Sequence, residues 1–291
     1  VKALLVLPMV LSLAFCVAKE LRRGPSIAYG HWWIPGGLVA VIVGRLMRCP
    51  SVVHLHGSDA FVANSGIMKR VARFVLRLAD ERLAVSETLA SWGRKVSSTD
   101  VRVLPMPVVV EVSADPSPAP DDGYVLGVGR LVPEKGFDIL LEAVACLEPD
   151  ERPEVVVVGV GPERKALLEK ATKAGVELHL PGAVAPKELA EWYRRARIVV
   201  VPSRREGFGL VAAEAAASSR AVVGSFVGAI PTIVQPGVSG LLVMPGDVEG
   251  LARAIKDVDP AWGANGPRLV SHLGPSSHGQ AVRQLCDDLS Q

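Results

Sequence analysis

Two glutamates, Glu206 and Glu214, flank a glycine-containing loop and have seven residues between them. Gly207 and Gly209 allow the backbone of this loop to approach a ligand closely. The alanine-rich run at 210–217 predicts a helix, whose first N–H groups and positive dipole end attract an anion. Two carboxylates beside such a helix end suit a ligand with hydroxyl groups on both sides of a phosphate. A nucleotide sugar has this distribution of groups.

Two other interpretations of this loop stay open. Gly207 to Ala212 also fits a loose Gly-x-Gly-x-x-Ala pattern, which occurs in dinucleotide-binding proteins. That fingerprint needs an acidic residue about twenty positions later, and none lies between Glu214 and Asp247. A purely structural strand–turn–helix unit would need neither glutamate. We therefore favour the nucleotide-sugar interpretation.

A second loop, Gly127-Val-Gly-Arg-Leu-Val-Pro-Glu-Lys-Gly, follows a predicted strand and contributes Arg130 and Lys135. An arginine makes bidentate contacts with phosphate, whereas a lysine supplies a point charge. The loop therefore predicts a binding site for a phosphate group. The alternative is a pair of solvated cations around the start of the next helix.

In the first half of the chain, the string Val-Val-His-Leu-His-Gly-Ser-Asp places His56 and Asp59 after a predicted strand. His56 is either a core histidine or a site residue, and its position favours a site residue. Asp59 either orients this loop or contacts an acceptor. His31 and Trp32 follow the preceding strand, and the aromatic residues there either stack on a sugar or pack under the next helix.

These strings resemble those of the glycosyltransferases of family 4, which have the GT-B fold. The resemblance covers roughly residues 26–247, and Gly-Arg-Leu-x-x-Glu-Lys-Gly and Glu-x7-Glu are its most specific parts. It implies that Arg130 and Lys135 bind the donor diphosphate, that Glu206 binds the transferred sugar and that Glu214 binds the ribose. It also implies that His56 contacts the donor sugar. One position departs from the pattern, because Thr232 stands where the family usually has Glu.

The resemblance further implies which residues form each part of the site. The N–H groups from Phe208 to Leu210 meet the phosphate, and the loop at Val184 holds the nucleobase. The implied catalytic residues are His56, Arg130, Lys135 and Glu206, and the implied acceptor side consists of His31, Trp32 and Asp59. The implied donor-binding set is Gly129, Arg130, Lys135, Val184, Glu206, Gly207, Phe208, Gly209, Leu210 and Glu214.

The implied activity is a retaining transfer of a sugar from a nucleoside diphosphate to a hydroxyl group of a glycan, lipid or small molecule. In the family's proposed front-face mechanism, the departing phosphate accepts the proton of the incoming hydroxyl. Neither a metal ion, a cofactor nor a covalent nucleophile is then required. Two alternatives are a nucleotide-sugar-binding module with little or no transfer activity and a nucleotide-sugar epimerase of the GT-B fold.

Apolar strands alternate with amphipathic helices along most of the chain, which predicts an α/β protein with parallel sheets covered on both faces. In the first half, strands are predicted at 26–29, 51–55, 81–85 and 101–104, and helices at 36–47, 67–78 and 86–96. In the second half, strands are predicted at 124–128, 154–158, 177–180, 198–201, 221–223 and 241–243. The helices there are predicted at 137–147, 162–174, 186–195, 210–218 and 247–256, with a closing helix at 279–289.

A proline-rich break around 113–122 marks the predicted domain boundary. We predict two Rossmann-like domains that face each other across a cleft. The first, at 1–113, is acceptor-side and shortened relative to the family, so the chain is either a fragment or an abbreviated enzyme. A linker at 114–122, a donor-binding domain at 123–258 and a tail with a closing helix at 259–291 follow.

The composition excludes several classes of protein. With 49% hydrophobic and 21% charged residues, the 291-residue chain can bury a large core and is not disordered. A net charge of +2 argues against a nucleic-acid partner. The four cysteines are scattered, so neither a metal site nor a disulfide framework is predicted from them, and a reducing cytoplasm is the simplest setting.

The apolar run at 1–18 allows three interpretations, of which we favour a buried strand or helix of the first domain. A membrane-associated segment is the second, because the run is marginally long enough. A signal peptide is the third, although most of the positive charge follows the run. The expected location is the cytoplasm, and a peripheral contact with the inner face of the membrane is compatible with this start.

Overall fold

The computed structural model describes residues 6–22, 24, 26–63, 66–109 and 118–290. The chain divides into two compact units. The first unit combines Val1–Met106 with Ser276–Gln291, and the second comprises Pro107–Pro275.

A four-stranded parallel sheet forms the centre of the first unit, with the strands in chain order. Its strands are β1 (Ala28–His31), β2 (Ser51–Leu55), β3 (Glu81–Ala84) and β4 (Arg102–Val103). The helices that precede or connect them are α1 (Val6–Leu21), α2 (Leu38–Met47), α3 (Asp59–Val62), α4 (Gly66–Leu78) and α5 (Glu87–Ser97). Every residue of β2 is buried, which explains its continuous apolar character apart from Ser51 and His54.

A six-stranded parallel sheet forms the second unit, in the order β10-β9-β8-β5-β6-β7. Its strands are β5 (Tyr124–Val128), β6 (Val155–Val158), β7 (Leu178–Gly182), β8 (Ala196–Val201), β9 (Ala221–Ser225) and β10 (Gly240–Val243). The helices are α6 (Phe137–Ala145), α7 (Arg164–Ala174), α8 (Pro186–Arg195), α9 (Leu210–Ala217), α10 (Ile230–Ile233), α11 (Val248–Asp257) and α12 (Gly266–Val270). Both sheets and the α/β class agree with the prediction of two Rossmann-like domains.

The strand order of the second sheet reverses at β5. The chain continues from β5 to β6 and β7 on one side and then returns to β8 on the other side. In open parallel sheets, ligands bind beyond the carboxyl ends of the strands at such a reversal. The loops after β5 and β8 are therefore the places to look for a binding site.

The last helix, α13 (Pro275–Ser290), packs against the first sheet. Leu285 is buried with Val52, Leu83 and Leu104, and His278 Nδ1 lies 3.0 Å from the carbonyl oxygen of Pro105. The tail predicted as one piece at 259–291 is thus divided, because its first part belongs to the second unit. Residues 114–117 of the predicted linker lie outside the described residues.

Every predicted strand has an observed counterpart. Ser86 caps α5, since its Oγ accepts from Leu89 N at 3.4 Å. The first five residues of the apolar run at 1–18 lie outside the described residues, and the rest of the run forms helix α1. For this helix the prediction of a buried segment is wrong. Met9, Leu11 and Phe15 are between 51% and 73% exposed. Among the residues that the structure describes, no helix combines the length and the apolar character needed to cross a membrane.

Candidate functional site

Lys135 and Glu206 form an ion pair that joins the loops after β5 and β8. Lys135 Nζ lies 2.7 Å from Glu206 Oε2, and both side chains are largely buried. Ser203 Oγ donates to the same oxygen at 3.2 Å. A Cβ on Gly129 would lie 3.6 Å from Lys135 Cε, so the lysine passes directly over this glycine. The predicted cation and the predicted acid therefore meet at the reversal of the sheet.

Arg130 is exposed at the end of β5. Within the described part of the chain, its guanidinium has no ion pair or hydrogen bond, which leaves it available to a ligand. Arg204 differs, because it makes a bidentate contact with Asp138 at 2.7 Å through both nitrogens. The charge of Arg130 is consequently not neutralised by a carboxylate of the described residues.

The start of α9 presents backbone donors beside the ion pair. Gly209 adopts a φ of +93°, which a side chain would disfavour, and thereby turns the chain into the helix. Within the described residues, the N–H groups of Phe208, Gly209 and Leu210 have no backbone acceptor. A Cβ on Gly228 would lie 2.4 Å from the carbonyl oxygen of Glu206, so the next loop packs tightly against this turn. The turn can therefore bind an anion in the way predicted.

Glu214 lies one turn into α9 and is held by a tyrosine that sequence reasoning missed. Tyr193 OH, on α8, donates to Glu214 Oε2 at 2.8 Å. Burial raises the pKa of the Glu214 carboxyl, and the hydrogen bond from Tyr193 partly offsets this rise. The buried Arg220 donates to the carbonyl oxygen of Tyr193 at 2.8 Å. The inward position of Tyr193 on the amphipathic α8 is the signal that sequence analysis had available.

Removing the Tyr193 hydroxyl should destabilise the second unit. We expect Tyr193→Phe to cost about 1.5–3 kcal/mol, because a buried carboxylate loses its donor. Its matched control is Tyr124→Phe, since Tyr124 OH donates at 3.0 Å to a neutral carbonyl, that of Trp192. That variant should cost only about 0.5–1.5 kcal/mol. Urea unfolding at pH 7 measures the loss of stability in both variants. Equal losses would contradict the interpretation that Tyr193 donates to a charged carboxylate.

The loops after β6 and β7 complete this edge of the sheet. Gly159 adopts a φ of +151°, and a Cβ there would lie 1.8 Å from the carbonyl oxygen of Gly129. This contact holds the β5 loop that carries Arg130. Val184 is half-buried beyond the end of β7. Thr232, where the family pattern has Glu, donates its hydroxyl to the carbonyl oxygen of Ala229 at 2.7 Å.

In the first unit, the structure groups three histidines at the carboxyl end of β1 and β2. His31 and His54 are neighbours in the parallel register. His56 follows two positions after His54, and the ring centroids of these two lie 4.5 Å apart. His31 Nδ1 lies 2.8 Å from His56 Nε2. Trp32 is 46% exposed beside them, with its centroid 5.4 Å from that of His56.

His54 was not among the predicted site residues. It is 2% exposed, and its two ring nitrogens lie 2.8 Å from Tyr29 OH and 3.1 Å from the carbonyl oxygen of Leu104. The His-x-His spacing on a strand was the available signal, because alternate residues of a strand share a face.

The carboxylate of Asp59 binds backbone N–H groups of this loop and does not face an acceptor. Its side chain is 2% exposed, and its carboxylate accepts from Trp33 N at 2.8 Å and from His56 N. The interpretation in which Asp59 contacts an acceptor is therefore corrected, since neither oxygen is presented to solvent. The two aromatic residues also differ, because Trp33 is fully buried whereas Trp32 is exposed.

Lowering the pH from 7 to 5 should destabilise the first unit by about 3 kcal/mol. Burial and neighbouring histidines lower the pKa of His54 to about 3 and that of His56 to about 4. The unfolded chain therefore binds protons at both positions as the pH falls below about 6.5, while the folded chain does not, at a cost of about 2 kcal/mol each. Burial raises the pKa of Asp59 to about 6. The folded chain therefore takes up this proton more readily than the unfolded chain, which offsets the loss of stability by about 1 kcal/mol.

Urea unfolding at pH 7 and pH 5, followed by hydrogen exchange of the β2 amides, measures this loss. The variant His54→Gln should lose much less stability between the two pH values, because one of the two histidine contributions is removed. The exposed His272, replaced in His272→Ala, serves as the control and should behave as the parent does. An unchanged stability between pH 7 and pH 5 in the parent would contradict the assignment of neutral, buried histidines.

Two sequence profiles match the chain. The profile of the family "Glycosyl transferases group 1" matches residues 122–258, and the profile "Glycosyltransferase Family 4" matches residues 3–112. Together they cover most of both units.

Individual proteins show the same relationship. An uncharacterized glycosyltransferase of Methanocaldococcus jannaschii is 26% identical over 95% of this chain and 80% of its own length. A D-inositol 3-phosphate glycosyltransferase of Catenulispora acidiphila is 32% identical over 81% of this chain and 65% of its own length. The matched region spans only 36% of the length of the D-inositol 3-phosphate glycosyltransferase of Streptomyces griseus, at 37% identity. The chain thus corresponds to a part of several of these relatives.

Solved structures agree on the fold. Sucrose-phosphate synthase from Thermosynechococcus elongatus superposes with a TM-score of 0.74 at 26% identity, over 88% of this chain and 73% of that chain. Anabaena Alr3699/HepE, solved in complex with UDP and glucose, gives a TM-score of 0.76 at 23% identity, over 94% and 81% of the two chains. Profiles, relatives and fold agree with the predicted family. The chain is a member of the GT-B glycosyltransferases of the family 4, group 1 type.

Proposed function

We propose that this chain acts as a retaining glycosyltransferase that moves a sugar from a nucleoside-diphosphate sugar to a hydroxyl acceptor. The observation that carries the proposal is the Lys135–Glu206 ion pair of 2.7 Å beside the amino end of α9. A cation, a carboxylate and free N–H groups meet at one edge of a parallel sheet. This combination suits a sugar attached to a diphosphate.

Each part of the assembly has a role in the proposal. The N–H groups at the start of α9, together with Lys135 and Arg130, bind the diphosphate and stabilise it as it leaves. Glu206, held by Lys135 and Ser203, accepts hydrogen bonds from hydroxyls of the transferred sugar. Glu214 binds the ribose hydroxyls in a position fixed by Tyr193.

In this proposal the departing phosphate accepts the proton of the incoming hydroxyl. The developing negative charge is neutralised by Arg130 and Lys135, so transfer proceeds without an added divalent metal ion. The contact of His56 with the donor sugar stays a prediction. Activity that is unchanged in a chelator supports this part of the proposal, and activity that depends on added Mg²⁺ contradicts it.

A panel of UDP-, GDP- and ADP-sugars tests the activity. Each donor is incubated with the full chain and with polyol, glycan and lipid-linked hydroxyl acceptors, while donor binding, nucleotide release and product are followed. Retained anomeric configuration in the product, read by proton NMR, supports the proposal. Binding without nucleotide release in any arm would indicate a nucleotide-sugar-binding module instead. An isomerised donor would indicate an epimerase.

We further propose that the protein works in the cytoplasm and makes a peripheral contact with the inner face of the membrane. Helix α1 supports this contact, since Met9, Leu11 and Phe15 are exposed along it. Co-sedimentation with anionic phospholipid vesicles tests it, and the variant Leu11→Ser/Phe15→Ser should bind less. Equal binding by both proteins would contradict a role for α1.

A further inference from the structure

Three of the six histidines of the chain lie in one cluster, formed by His31, His54 and His56. The backbone explains why they meet. The parallel register places His31 beside His54, and the two-residue period of a strand directs His56 to the face that carries His54. The cluster therefore lies at the carboxyl ends of β1 and β2.

The nitrogens of this cluster are close enough to share one small ligand. One ring nitrogen from each histidine lies within 4.8 Å of the other two, and His31 Nδ1 is only 2.8 Å from His56 Nε2. His31 is exposed and His56 is partly exposed, whereas His54 is buried. The cluster is thus buried on the side of His54 and open to solvent on the side of His31.

The surroundings of His54 resemble those of a metal ligand. Its Nε2 lies 3.1 Å from the carbonyl oxygen of Leu104, which can only accept a hydrogen bond, so Nε2 carries the proton. Metal-bound histidines usually donate their second ring N–H to a backbone carbonyl in this way. Nδ1 is then left with a lone pair, to which Tyr29 OH donates at 2.8 Å.

We propose that His31, His54 and His56 bind a divalent transition-metal ion, with Zn²⁺ as the reference ion. Imidazole nitrogens suit zinc, copper and nickel, whereas Mg²⁺ and Ca²⁺ require oxygen ligands. The nearby Asp59 supplies none, because both of its oxygens accept hydrogen bonds from backbone N–H groups. Three protein nitrogens and an open fourth position on the solvent side complete the coordination.

Zn²⁺ binding requires small movements of the three histidine side chains. The neutral imidazole rings lose no proton in the process. Nitrogens bound to one tetrahedral zinc ion lie about 3.3 Å apart, so the His31–His56 pair must open slightly and His54 must approach. The proton shared by that pair moves to the outer nitrogen of the ring that carries it. The Tyr29 hydroxyl turns away from Nδ1 of His54.

This proposal does not depend on the proposed transfer activity, and its test measures metal binding alone. Tag-free full-length protein is titrated with Zn²⁺ against a chromophoric indicator, and Co²⁺ is added separately to read the absorption of a tetrahedral site. We expect one Zn²⁺ per chain and no competition from a large excess of Mg²⁺. Absence of stoichiometric Zn²⁺ binding would overturn the proposal.

Variants locate the ion. His31→Ala and His56→Ala, checked for folding by circular dichroism, should each weaken Zn²⁺ binding by at least about tenfold. The matched controls are His179→Ala and His272→Ala, which remove exposed histidines elsewhere in the chain. They should bind as the parent does. A similar loss in the controls would show adventitious surface binding and contradict the assignment.

A further variant tests His54 without removing its side chain. Tyr29→Phe deletes the hydroxyl that competes for His54 Nδ1. If His54 is a ligand, this variant should bind Zn²⁺ more tightly than the parent. Unchanged or weaker Zn²⁺ binding by a folded Tyr29→Phe protein would show that His54 is not a ligand and overturn the three-ligand assignment.

Discussion

Replacing Lys135 with alanine should lower kcat/KM for the nucleotide sugar by about 30- to 900-fold, which corresponds to about 2–4 kcal/mol of transition-state stabilisation. The lysine neutralises the leaving diphosphate and also holds Glu206 at 2.7 Å. Its loss therefore affects both the phosphate and the carboxylate that binds the sugar. Steady-state kinetics with the donor identified in the sugar panel measure the effect.

Two variants separate this role from a general loss of charge. Arg130→Ala should reduce kcat/KM on the same scale while leaving stability unchanged, because Arg130 has no ion pair among the described residues. Arg204→Ala removes an arginine of the same region that has no role in the proposed diphosphate site, since its guanidinium is held by both Asp138 and the carbonyl oxygen of Pro133 at 2.7 Å. This variant should have a small kinetic effect. Equal losses in Lys135→Ala and Arg204→Ala would contradict a specific diphosphate contact.

Replacing Gly159 with alanine should destabilise the second unit by about 3–5 kcal/mol, the sum of backbone strain and steric overlap. A Cβ at this position would lie 1.8 Å from the carbonyl oxygen of Gly129, and the backbone has a φ of +151°. The loop that carries Arg130 would have to move away from β6. Thermal and urea unfolding of the full chain measure the loss.

Gly182→Ala is the matched control for this prediction. Gly182 ends the neighbouring strand with a φ of +91°, but a Cβ there would meet no atom within 4 Å. Its replacement should cost only the backbone strain, about 1–2 kcal/mol. A loss in Gly159→Ala no larger than that in Gly182→Ala would show that the β5 and β6 loops are not in close contact.

Much of the fold could be predicted because the strands are short, apolar and bounded by glycine and proline. Strands β2 and β5 and helix α8 have the predicted bounds. The pairing of Lys135 with Glu206 follows from the loops in which they lie, since the carboxyl ends of parallel strands share one edge of a sheet. Sequence strings alone therefore predicted the family and the two loops that the Lys135–Glu206 ion pair joins; the donor-binding roles of their residues stay predictions.

Other features depend on tertiary packing that a linear pattern does not contain. The contact between Tyr193 and Glu214 joins two helices, and the sequence has no local signal for that partner. The burial of Asp59 depends on which amides surround it in three dimensions. The exposure of α1 was missed because an apolar sequence indicates what a segment can bury and does not show what covers it.

The central claim is that the loops after β5 and β8 bind a diphosphate at the start of α9. A crystal structure of the full chain with a bound nucleoside diphosphate tests it most directly. We predict a phosphate group at the N–H groups of Phe208 to Leu210, with Lys135 Nζ and the Arg130 guanidinium within about 3–4 Å of its oxygens. A nucleotide bound elsewhere on the second unit, with Arg130 and Lys135 both remote from its phosphates, would contradict the account.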